Sequence, residues 1–162
     1  MPIPAEISTS AAIFQQVSGS LDKNVANLSA DEWNVRPNQT ANSMLWVVGH
    51  MTWARSIVLK LLGVEWSRPW LDSVGYGSDA SQTANYPSPQ EAVQAFKEVS
   101  ATLTLALEAA TSAALSAPAP EKVPSYGGTI AGTIGFMAFH DAYHAGQVVY
   151  IRSCLGHKGT NG

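Results

Sequence analysis

The chain has 162 residues, a formal charge of −3 and a pI near 5.7. Apolar residues make up 46% and charged residues only 13%, which excludes a disordered chain and fits one globular domain over 1–162 whose core needs no disulfide or structural metal. The few basic residues form no cluster, so no nucleic-acid partner is expected, and no segment reads as a membrane span.

In chain order, the N-terminal MPIPAEISTS lacks the basic patch and apolar core of a signal peptide. With a lone cysteine, this reads as a soluble, cytoplasmic protein. Ile3, Ile7, Phe14, Val17, Leu21, Val25 and Leu28 form one apolar stripe and predict a first helix. In LSADEWNVRP, Ser29 and Glu32 sit at capping-box spacing, which predicts a single turn stopped before Pro37. A second helix follows PNQTANS and runs to about Gly63, with the stripe Trp46, His50, Trp53, Ile57 and Leu61. The next stretch, rich in Gly, Ser and Pro, is long for a helix connection. Trp66, Trp70, Leu71 and Tyr76 predict that it packs on the body. In SPQEA, Ser88 is an N-cap, Pro89 fits the first helical position and Glu91 completes a capping box. The stripe of this third helix runs from Ala92 through Phe96, Val99, Leu103, Leu107 and Ala110 to Ala114. The last helix starts near Thr129 and ends before Gly156, with Ile130, Ile134, Met137, His140, His144, Val148, Ile151 and Leu155 on its stripe.

No period-two run suggests a strand. The pattern predicts an all-α four-helix bundle. Its long crossover frees the second and third helices from being simple antiparallel neighbours. Gly132, Gly135 and Gly146 each weaken the last helix by about 1 kcal/mol relative to alanine, which suggests a neighbouring helix approaching closely there.

Three of the four histidines lie on apolar stripes. His140 and His144 are one helical turn apart and can converge on one point. His50 occupies the stripe of another helix near its middle. Bundle cores build metal sites from such facing positions. Three neutral histidines around a divalent ion leave at least one coordination position open, as in catalytic zinc sites. A water there can reach a pKa of about 7, or a thiolate can take its place. Imidazole also suits nickel, copper and iron. The bland alternative is three core histidines with ordinary hydrogen-bond partners.

Together, SMLWVVGHMTW and the later HDAYHAGQ resemble the DinB/YfiT-like superfamily of metalloenzymes. The likeness extends over nearly the whole chain, including LSADEWNVRP and the crossover. It implies a four-helix bundle, a site of His50, His140 and His144 holding zinc or nickel, and a homodimer. It also implies transfer chemistry that uses a low-molecular-weight thiol with a small-molecule substrate.

Asp141 next to His140 imitates the acid of the His-Glu-x-x-His zinc peptidases, but no further ligand follows at the expected spacing. It is a candidate catalytic base or an orienting group. Gln147 is a candidate catalytic residue, placed to bond a ligand histidine or a water at the open position; it also fits as a plain rim residue. Tyr143 and Tyr150 can offer hydroxyls to a substrate or simply pack. Cys154 reads as a buried, inert thiol, and His157 as an exposed, uninvolved tail residue. The leading expectation is a metal-dependent thiol transferase. A metal-dependent hydrolase and a non-catalytic, metal-binding, stress-associated homodimer are the alternatives.

Overall fold

A computed structural model describes residues 2–80 and 83–158. Four long helices carry it: α1 (Ser8–Val25), α2 (Met44–Leu61), α3 (Pro89–Ala109) and, after the short α4 (Ser112–Leu115), α5 (Ile130–Cys154). No strand occurs among the described residues; Pro118 and Thr129 form a lone antiparallel bridge.

Local chemistry sets the boundaries. The hydroxyls of Ser43, Ser88 and Thr129 accept from the amides of Trp46, Glu91 and Gly132, capping α2, α3 and α5 where the sequence predicts their starts. Gly63, at φ 76°, lies just beyond the end of α2. The Ser29–Glu32 box forms in both directions, at 2.7 and 3.3 Å, ahead of a single turn at Glu32–Asn34. Two boundaries differ from expectation. The first helix is shorter than its apolar stripe, with a separate turn at Ala5–Ile7 before it. The third ends at Ala109 because Ala110 is extended and the Thr111 hydroxyl caps α4 instead.

α1 contacts α3 and α5, and α2 contacts the same two helices. One half of the core gathers Val17, Leu21 and Val25 of α1, Met44–Val48 of α2, Ala92–Phe96 of α3 and Val148 and Ile151 of α5. The other half gathers Ile7–Phe14, Ala54–Leu59, Val99–Leu107 and Ile134–Ala138. α2 and α3 are therefore parallel, and α1 and α5 run parallel to each other in the opposite sense. The crossover permits this: it leaves the end of α2 and returns along it before α3 begins, so the two are neighbours without being antiparallel.

The expectation of a closely approaching helix is not met at Gly132 or Gly146. A side chain at Gly132 would strike the Tyr126 carbonyl at 1.7 Å, so the close approach is made by the preceding loop and not by a helix. Nothing lies within 4 Å at Gly146, where no close approach occurs.

Candidate metal centre

The stripe of α2 read from the sequence is only part of its buried surface. Val47, Val48, Met51, Ala54, Val58 and Leu59 supply an apolar remainder. Trp46, His50 and Trp53 lie beneath the crossover. Val74, in the turn Leu71–Val74, packs on Gly49, and its carbonyl lies 2.6 Å from His50 Nδ1. Gly75 sits against the Trp53 indole, and Trp46 Nε1 donates to Ser78 Oγ at 3.1 Å. The His50 ring is stacked on two indoles, with centroids 4.4 Å from Trp46 and 5.2 Å from Trp53 and ring planes nearly parallel in both cases. The crossover thus forms the roof of the site.

The three histidines converge. His140 Nε2 lies 3.2 Å from Nε2 of both His50 and His144, and the three ligand nitrogens all lie within 4.8 Å of one another. Tautomers follow from the outer partners. The Val74 carbonyl only accepts, so His50 Nδ1 carries the hydrogen and its Nε2 presents a lone pair. His144 Nδ1 donates to Gln147 Oε1 at 2.8 Å, which leaves its Nε2 in the same state. His140 Nε2 has at most one hydrogen to give, so at most one of the two 3.2 Å contacts can be a full hydrogen bond and the other leaves a neighbour's lone pair unsatisfied. Protonation does not relieve this. Burial, first of all, pushes all three imidazoles down to about 4, with neighbouring histidines adding to the effect, so they are neutral near pH 7.

A divalent cation resolves the arrangement. Tetrahedral ligands at about 2.0–2.1 Å stand roughly 3.3 Å from each other, close to the 3.2 Å that separates His140 Nε2 from each of the other two. Neutral imidazoles are the form that binds metal, and two of the three have the outer hydrogen bond that orients a ligating ring. His140 lacks one: its Nδ1 is buried without a partner among the described residues. The donor set fits a divalent ion and does not select which.

Gln147 is therefore bonded to His144, one of the three clustered histidines, and its amide also donates to the Tyr143 hydroxyl at 3.2 Å. Asp141 is elsewhere. Its carboxylate accepts from Arg55 at 2.6 and 3.3 Å, and both side chains are only 1% exposed. Burial pushes this carboxyl up from its usual value, while the guanidinium opposes the shift. The carboxylate is thus directed at Arg55, a group on another helix. Arg55 went unremarked in the sequence, although it is the sole charged residue between Met44 and Leu59. That isolation in an apolar run is the signal that marks it.

Two residues depart from expectation. Cys154 is exposed, not buried, because it follows the exposed Tyr150 by one turn on the outer face of α5. His157 is half-buried, with Nε2 2.7 Å from Glu32 Oε1; it takes no part in the histidine cluster but ties the chain end to the early turn. That bond, with the Ser29 amide and hydroxyl, holds the Glu32 carboxyl down to about 2. The last residues of the tail, 159–162, and crossover residues 81–82 lie outside the described residues.

Beside His140 opens a cavity of about 440 Å³. Trp53 and Ile57 of α2, Phe136 and Met137 of α5, Tyr76 of the crossover, and Lys122, Val123 and Pro124 of the α4–α5 connection line it.

Among the described residues, no helix is long and apolar enough to cross a membrane. No curated protein matches the chain. Among solved structures it is similar to YfiT from Bacillus subtilis, described as a probable metal-dependent hydrolase with an unusual four-helix bundle topology; the two are 12% identical, with a TM-score of 0.70 over 97% of this chain and 92% of that one. The DinB superfamily model matches residues 13–148, most of the chain and all three histidines. The chain belongs to the DinB superfamily.

Proposed function

We propose that the protein is a metal-dependent enzyme that transfers a low-molecular-weight thiol to an electrophilic small molecule, with zinc or nickel held by His50, His140 and His144. The observation that supports this reading most directly is the meeting of three neutral Nε2 atoms with no carboxylate among them. A divalent ion held by these three residues would supply Lewis acidity, which favours the deprotonated form of a thiol or water.

The chain's own groups do the rest. The Val74 carbonyl and Gln147 Oε1 fix the ring orientations of His50 and His144. Trp46 and Trp53 exclude water from both faces of His50. Asp141 is occupied by Arg55 and does not serve as a base. A thiol suits such a site because a thiolate forms without a strong base and attacks without one. Hydrolysis is the second reading, supported by the likeness to YfiT.

The experiment is metal analysis of protein prepared without a histidine tag, followed by thiol-consumption assays with an electrophilic aryl halide. About one equivalent of metal, absent in His140→Ala, and a rate that disappears with the metal are expected. A rate indifferent to metal removal refutes the mechanism. Ester hydrolysis in the absence of thiol, lost with the metal, selects the second reading.

A further inference from the structure

The cavity beside His140 has a chemical character of its own. Its volume, about 440 Å³, lies within the range of small-molecule sites, about 300–1,000 Å³. A larger groove of about 590 Å³ near Trp33 and Pro89 includes none of the three histidines. Trp53, Ile57, Phe136 and Met137 form the walls beside His140, and Val123 and Pro124 close one side. These surfaces offer contact area and few hydrogen bonds. A polar thiol lodged here would leave its amide and hydroxyl groups unpaired, at a cost of about 1–3 kcal/mol for each buried group. An apolar body would not.

One lining residue carries a charge at neutral pH. Lys122, exposed at the cavity, takes part in no ion pair among the described residues, so its ammonium is available to a ligand. No acidic side chain lines the cavity. We propose that this cavity seats an apolar, ring-bearing small molecule with one anionic group, which Lys122 recognises while the ring reaches toward His140. The assignment rests on the reading of the histidine cluster as a reaction centre, and it identifies the occupant as the electrophilic co-substrate and not the thiol.

Because Lys122 is exposed, its contribution is discrimination more than affinity. An exposed ion pair is worth at most about a fivefold change in binding. The probes are 2-naphthoate and its uncharged counterpart 2-naphthylmethanol. Each is titrated by equilibrium dialysis against the full chain, metal-loaded and chelator-treated. Both are expected to bind saturably, with naphthoate favoured by about threefold to fivefold. Lys122→Gln should abolish that preference without changing naphthylmethanol binding, and Lys122→Arg should retain it. Val123→Trp, which fills the cavity from a loop, should weaken both probes by about tenfold or more.

Absence of saturable binding, equal affinity for the two probes with Lys122 present, or indifference to Val123→Trp would overturn the assignment. Failure of the enzyme reading looks different. Probe discrimination by a protein that binds no metal and turns nothing over would leave the ligand class standing without the reaction. Metal-dependent turnover unaffected by both Lys122→Gln and Val123→Trp would preserve the reaction and remove the cavity from it.

Discussion

Two polar clusters share the core, on the same two helices and nearly the same residues of each. One holds His50 and His140–His144; the other holds Arg55 and Asp141. The Arg55 cluster is closed. Nε donates to Asp141, one terminal nitrogen to the Ser18 and Ser100 hydroxyls, and the other to Asp141 and the Phe14 carbonyl. All five guanidinium hydrogens are used, and all four long helices contribute. The rings of Phe96 and Phe14 pack around the guanidinium carbon at 4.3 and 5.4 Å. The histidine cluster is open. Its outer nitrogens are satisfied in two rings of three, its inner nitrogens face one another, and it borders a cavity. A buried polar group that finds every partner within the fold serves the fold. Unsatisfied groups gathered beside a cavity mark a candidate ligand site.

The sharpest break in this contrast is Arg55→Ala. It strands a buried carboxylate and should cost about 3–5 kcal/mol in urea unfolding. The double replacement Arg55→Met with Asp141→Leu should be milder than either single change, since no charge is left unpaired. His140→Ala should behave in the opposite way. The metal-free variant should fold about as stably as metal-free wild type, because the ring it loses carries a buried, unpartnered nitrogen. What it should lose is stabilisation by added metal, which in wild type reaches about 2.7 kcal/mol at a hundredfold excess over Kd. Thermal unfolding with and without metal measures both.

Gln147→Ala should leave one equivalent of metal bound but weaken its affinity by about 10- to 100-fold, as read by competition with a chromogenic chelator. The smallest effect concerns pH. In metal-free protein, burial holds the three histidines near 4 in the folded state, below the usual 6.5. The unfolded chain therefore takes up protons first, so stability falls as pH drops from about 6.5 toward 4 and levels off below that. Between pH 7 and 6 each histidine contributes less than about 1 kcal/mol to this loss. Urea midpoints across that interval should be flatter in His140→Leu than in wild type.

The bundle, its caps and the convergence of three histidines follow from the sequence. Ser43, Ser88 and Thr129 announce helix starts because capping depends on a side chain and amides three residues away. His140 and His144 share a face because helical spacing puts them there. Gln147 was placed correctly beside His144 for the same reason. Arg55 escaped notice because its partners lie on three other helices, and nothing within α2 points to them. Cys154 is exposed because it lies at the last turn of α5, where few turns remain to define the inward face.

By itself, the sequence determined everything that depends on neighbours along the chain: four amphipathic helices, their stops and starts, and the residue types able to hold a divalent ion. Only the tertiary structure decided that α2 and α3 run parallel, that the Val74 carbonyl orients His50, that Arg55 claims Asp141, and that an apolar cavity with one lysine at its rim opens beside His140. The reason is physical. Helix formation and capping are settled within a few residues by short-range hydrogen bonds and sterics, whereas a tautomer, a buried ion pair or a cavity wall depends on groups brought together from distant parts of the chain by burial of the core.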